Sequence, residues 1–166
     1  MEDYNMSSTM THYMELLATN QPWNLIVFMA IPVICAETLA ITEFITLFTR
    51  DLTGTSKLIS KITGIFAGVY FTGIFIYLFA NAVVPLTAAG GWRGPFDVVA
   101  VGFYLLGIIP FAGLFLLDTG MIAKKKDEVS KLKLHAVFVS IFLIVAHVAM
   151  IFGMLNPNLL VSKGGM

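Results

Sequence analysis

Four long apolar runs, at roughly 24–49, 58–84, 96–122 and 132–156, leave this chain few options. Each exceeds the roughly 20 residues that a helix rising about 1.5 Å per residue needs to cross a hydrocarbon core about 30 Å thick. No water reaches such a layer, so every backbone N–H and C=O must be satisfied within the run, as in a helix. Hydrophobic residues make up 58% of the 166 and charged residues only 12%, which is too little polar surface for a water-soluble globule. The pattern predicts an all-α membrane protein. Its four-transmembrane-helix bundle covers 24–156, with an N-terminal outer interfacial amphipathic segment at 1–23 and an outer tail at 157–166.

Arg50, Lys57 and Lys61 flank the first connection between runs, and Lys124, Lys125, Lys126, Lys131 and Lys133 flank the third. Only Arg93 and Lys163 fall on the other side. The positive-inside rule therefore puts both basic loops in the cytoplasm and both termini outside, a multi-pass topology expected in a bacterial cytoplasmic (inner) membrane. Trp23 and Trp92 begin spans on that outer side, where amphipathic rings settle among lipid headgroups. Glu2 and Asp3 stand where a cleavable signal would carry Lys or Arg, so the first span is expected to direct insertion. A single cysteine, Cys35, excludes an intrachain disulfide, and a formal net charge of zero points to no nucleic-acid partner.

Within 9–19, Met6, Met10, Tyr13, Met14 and Leu17 share a helical face and His12 and Glu15 take the other, which predicts a helix lying on the outer membrane surface. Gly64, Gly68 and Thr72 make a small-residue stripe on the second span, the kind of face that admits a second helix backbone closely. A homodimer through that stripe is expected, or membership of a larger membrane complex, with membrane lipid as the common partner. Pro110 should kink the third span and Pro32 the first, each freeing a carbonyl that a neighbour or a water must satisfy.

Chemistry is sought first at His147, Met150 and Met154, whose offsets of three and seven return to nearly one helical angle. An imidazole and two thioethers in a helix bundle suit haem b or a soft metal. For haem, His147 is the axial ligand, His12 or a Met the other, and Arg93 the partner of the propionates. His135 lies twelve residues from His147, about 18 Å along the axis and about 120° round it, too far to share an iron. For copper, His147, Met150 and Met154 are joined by His12 and Met14. Met also fills gaps in apolar helices, so packing alone accounts for the sulfurs.

A second class of reading is a proton or cation path through Glu37, Glu43, Asp118 and His135, because ionisable groups inside spans mark such routes. Cys35, Thr38, Thr42, Thr46 and Thr49 add a polar stripe on the first span. Glu37 and Glu43 stand about 120° apart on a straight helix and cannot both line one narrow channel. Asp118 and His135 lie near a basic loop, where reaching to Lys124 or to water is the cheaper arrangement. Asp97, in the first turn of its helix, complements the helix dipole.

The stretches GWRGPFDVVAVGFYLLGIIP and KLHAVFVSIFLIVAHVAMIFGM resemble an uncharacterised family of small bacterial four-span membrane proteins, sometimes given a permease label. The resemblance implies the four-span fold and assigns no site residue. The expectation placed first is an intramembrane haem b or metal site centred on His147 in the outer half, haem ahead of copper, serving electron transfer or metal handling. The alternatives are a small oligomeric permease or transport-complex subunit moving protons or cations through Glu37 and Glu43, and an assembly subunit with no cofactor and no site of its own.

Overall fold

A computed structural model describes residues 9–159, so Glu2, Asp3, Met6 and Lys163 lie outside the described residues. Helix α1 (His12–Ala18) precedes four membrane-length spans. These are α2 (Trp23–Thr49), α3 (Thr55–Ala89), a third span divided into α4 (Pro95–Leu106) and α5 (Ile108–Asp118), and α6 (Glu128–Met154). The four-span helical bundle expected from the apolar runs is the fold, and no strand occurs among the described residues. At 35 residues, α3 is about 52 Å long, well beyond the hydrocarbon thickness.

Prolines decide where the spans depart from regular helix. In α2 a wide turn at Ile26–Ala30 precedes Pro32, which has no N–H to give the Phe28 carbonyl. The Tyr104 hydroxyl donates to that carbonyl instead at 2.5 Å, and the Tyr70 hydroxyl donates to the Val27 carbonyl at 3.0 Å. Two neighbouring helices thus supply what the proline removes, as backbone in hydrocarbon requires. The same kind of wide turn, Phe79–Val83, precedes Pro85 in α3.

Pro110 cannot donate to the Leu106 carbonyl, and the third span breaks there, with Gly107 between its halves. The break lets the halves choose different neighbours. Helix α4 packs chiefly on α6, whereas α5 packs on α3 and on α6. A straight span would have to hold one set of contacts along its whole length.

The small-residue stripe is used inside the chain. Gly64 and Gly68 are both buried, and a Cβ at Gly68 would lie 2.5 Å from the Phe115 Cβ and 2.8 Å from the Phe111 carbonyl. A Cβ at Gly64 would collide with the Asp118 carboxylate. This corrects the expected dimer face: α5 already occupies it, leaving only Thr72 exposed at its margin. Beyond the stripe, Phe71, Phe111 and Phe142 pack as a layer across the bundle, with ring centroids 5.1 Å apart for the first two and 4.1 Å for the last two.

Helix α1 turns residues of its expected apolar face towards the bundle. It docks on the bundle end, burying Tyr13 and Leu17 against α4 and α6, with the Tyr13 ring 5.1 Å from that of Tyr104. The Thr11 side chain caps α1 at the Met14 N–H and donates to the Gly153 carbonyl at 2.7 Å. This contact brings the start of the described chain to the end of α6. Burial pushes the Tyr13 phenol up to about 12, so the fold holds its neutral form.

Replacing Gly68 by Ala should overpack the α3–α5 contact and cost about 1–3 kcal/mol. Gly73→Ala, where a Cβ meets nothing within 4 Å, should be neutral or stabilising by up to about 1 kcal/mol. Reversible unfolding in mixed detergent micelles measures both. Tyr13's contribution to docking is complete below about pH 10, the ordinary tyrosine value, and is lost as pH rises towards 12. Amide exchange in 12–18 should therefore accelerate in that alkaline window, beyond the intrinsic increase seen in an unstructured peptide.

Candidate functional site

Helix periodicity places three titratable residues where α2, α5 and α6 meet. On α6, His135, Phe142 and Ala149 recur every seven residues and lie on one buried stripe. On α2, Ala36, Leu39, Glu43 and Thr46 form the corresponding inner face. Asp118 ends α5. His135 is 1% exposed and Glu43 5%, and the imidazole stands between two carboxylates. Nδ1 pairs with Glu43 Oε1, and Nε2 lies 3.1 Å from Asp118 Oδ2. Gly64 of α3 lies against both Asp118 and His135, so its missing Cβ leaves room for the cluster.

Both ring nitrogens donate at once only in an imidazolium. With both carboxylates ionised, such a cluster holds one negative charge in excess, and uptake of one further proton makes it neutral. The cluster sits seven residues into α6, about 10 Å from that helix's start. A cavity of about 350 Å³ reaches it there, lined by Lys57, Lys61, Glu128 and Lys131 as well as Asp118 and His135. In the other direction Phe71, Phe111 and Phe142, each no more than 4% exposed, close the bundle.

The arrangement differs from the expectation that Asp118 and His135 reach out to Lys124 or water: each finds its partner inside the bundle. Three hydroxyls of the polar stripe on α2 are engaged within their own helix. The Thr42, Thr46 and Thr49 hydroxyls donate to the carbonyls of Thr38, Thr42 and Ile45 on their own helix, each at 2.8 Å. Glu37 is exposed on the bundle's outer surface, as its angular separation from Glu43 requires.

A second polar cluster holds α1 at the opposite end. Asp97, fully buried, accepts from the His12 backbone N–H at 2.6 Å, the His12 Nδ1 at 2.5 Å and the Arg93 backbone N–H at 3.2 Å. The Arg93 guanidinium pairs with Glu15 and donates to the Met10 carbonyl at 2.7 Å. Asp97 does more than complement a helix dipole: it captures the start of α1. A cavity of about 270 Å³ lies beneath α1, between His12, Glu15 and Asn24 on one side and Leu78, Leu86 and Val101 on the other.

His147 and Met154 are exposed on the outer surface of α6, and Met150 is half-buried beside Tyr13 and Phe28. His147 Nδ1 donates to the Leu143 carbonyl at 2.6 Å within the same helix. The twelve-residue separation explains this, since His135 facing the interior turns His147 about 120° away. The structure therefore does not bring His147 together with His12, whose Nδ1 is held by Asp97. Met14 is half-buried beside Gly153 on the α1 contact. Among the described residues, no three His, Cys, Asp or Glu side chains are placed to hold a metal ion. In the Glu43–His135–Asp118 cluster both imidazole nitrogens are already engaged.

A model described as a family of unknown function (DUF6803) matches residues 8–166. The chain belongs to that family. No curated protein and no solved structure matches it. Its membership accords with the resemblance to an uncharacterised family noted from the third and fourth spans.

Sequence reasoning missed the pairing of His12 with Asp97, which depends on how α1 folds back over the loop before α4. Asp97→Ala would leave three donors without their acceptor and should cost about 1–3 kcal/mol. Its first visible effect should be release of α1, read as faster proteolysis within 19–22 with the spans still folded.

Proposed function

We propose that this family member handles protons or cations within the membrane, as a small oligomeric permease or a subunit of a transport complex. Glu43, His135 and Asp118 hold the moving charge. The observation that carries the reading is the burial of Glu43 and His135, with part-buried Asp118 completing the cluster, beside a cavity at the lysine-bearing end. Ionisable groups are rare inside spans and concentrate where protons or ions pass. Gain and loss of one proton switches this cluster between a neutral and a charged state.

By the positive-inside rule the open side faces the cytoplasm of a bacterial inner membrane. A charge arriving from that side reaches the cluster before the apolar Phe71–Phe111–Phe142 layer, so onward passage requires that layer to rearrange or a pathway shared with another subunit. Four helices make a thin pathway, which is the reason to expect further subunits. Exposed Glu37 is available for such a contact and is not part of the charge-binding cluster. Haem b or copper at His147 would likewise draw on a second chain, since His147 and Met154 face outward.

Proteoliposomes carrying a trapped pH dye test the reading under an imposed potential. Wild-type protein should conduct protons, and Glu43→Gln should lower the flux by at least about tenfold, the equivalent of one pKa unit at the site. Asp118→Asn should act in the same direction and Glu37→Gln should stay near wild type. No wild-type flux with protons, sodium or potassium, or flux indifferent to Glu43→Gln, sinks the proposal and favours an assembly subunit.

A further inference from the structure

The cavity in front of the buried cluster is lined by more cationic side chains than the cluster itself requires. Lys57 and Lys61 are four residues apart near the start of α3 and so lie on one helical face, and Lys131 of α6 shares the same cavity wall. Lys131 Nζ is held by Glu128 Oε1 at 2.8 Å. Lys57 and Lys61 make no ion pair among the described residues, and Lys57 only attracts Glu128 from a distance. Three ammonium groups therefore line the cavity, where Glu128 is paired with Lys131 and Asp118 with His135. Even after the excess negative charge of the Glu43–His135–Asp118 cluster is counted, the balance is positive.

We infer that this cavity is a binding site for a tetrahedral oxyanion, a sulfate- or phosphate-type group held by Lys57 and Lys61 with Lys131 beside them. Its volume of about 350 Å³ accommodates one such group with its water. Ammonium groups donate several hydrogen bonds each, and charge-assisted bonds to an oxyanion are about twice as strong as neutral ones. A cavity with concentrated positive charge and low-dielectric walls also raises the local anion concentration. The oxyanion comes either from solution or from a phospholipid headgroup at the membrane surface, and the chemistry of capture is the same. Anion binding by the lysines does not depend on proton movement through the buried cluster.

The test uses the full chain in nanodiscs of phosphatidylcholine, with radiolabelled sulfate as probe at constant ionic strength. Sulfate is chosen because it does not titrate near neutral pH, unlike inorganic phosphate. Saturable binding by wild type should weaken by at least about tenfold in Lys57→Gln/Lys61→Gln and return in Lys57→Arg/Lys61→Arg, since both cations donate to oxyanions. The paired Arg variant and an unchanged thermal transition exclude misfolding as the cause. In a second arm, nanodiscs containing phosphatidylglycerol are examined by native mass spectrometry. Retention of this lipid that the Gln pair abolishes, together with loss of sulfate binding, assigns the site to a headgroup. Sulfate binding undiminished by the lipid assigns it to a free anion. Neither sulfate binding nor lipid retention sensitive to the Gln pair overturns the inference. Glu43→Gln should keep sulfate binding whatever it does to proton flux, which separates failure here from failure of the proton or cation reading.

Discussion

Two carboxylates and an imidazole taken into a low-dielectric interior cost several kcal/mol each unless they compensate one another. His135 meets that condition by standing between Glu43 and Asp118. The pairing joins α2, α5 and α6, and Gly64 of α3 gives it room. All four spans are thereby committed to one arrangement around the cluster. Removing any member would leave an uncompensated buried charge or an unoccupied acceptor, so the cluster constrains register as well as chemistry.

The second constraint comes from prolines. Pro32 frees a carbonyl on α2 that Tyr104 of α4 takes up, and Pro110 breaks the third span so that its halves serve different neighbours. These effects are connected. The break directs α4 towards α6 and α5 towards α3. It leaves space near the other end between α3 and α4, where the cavity beneath α1 is found. Asp97 and Arg93 then fix α1 over that space.

Much of this was legible in the residues. The four spans follow from length and hydropathy, and the demand for outside partners at Pro32 follows from its missing N–H. The separation of Glu37 from Glu43 and of His135 from His147 is helix arithmetic. Which of each pair faces inward was less obvious. The His135–Phe142–Ala149 and Ala36–Leu39–Glu43–Thr46 stripes carried the signal, but both helices are apolar all round, so hydrophobic periodicity barely distinguishes lipid from core. The same weakness made the His147, Met150 and Met154 stripe look like an interior ligand set, whereas packing turns His147 and Met154 outward.

By itself the sequence determined that this chain crosses a membrane four times, where its basic residues gather, and which residues on each span share a face. Those properties depend on transfer free energy and local helix geometry alone. Tertiary structure decided that the small-residue stripe of α3 serves α5 instead of a second copy, that α1 is latched by Asp97, and that Glu43, His135 and Asp118 meet. Lipid tails and apolar side chains are nearly equivalent surroundings, so the rotation of each span depends on packing and polar pairing between helices distant in sequence.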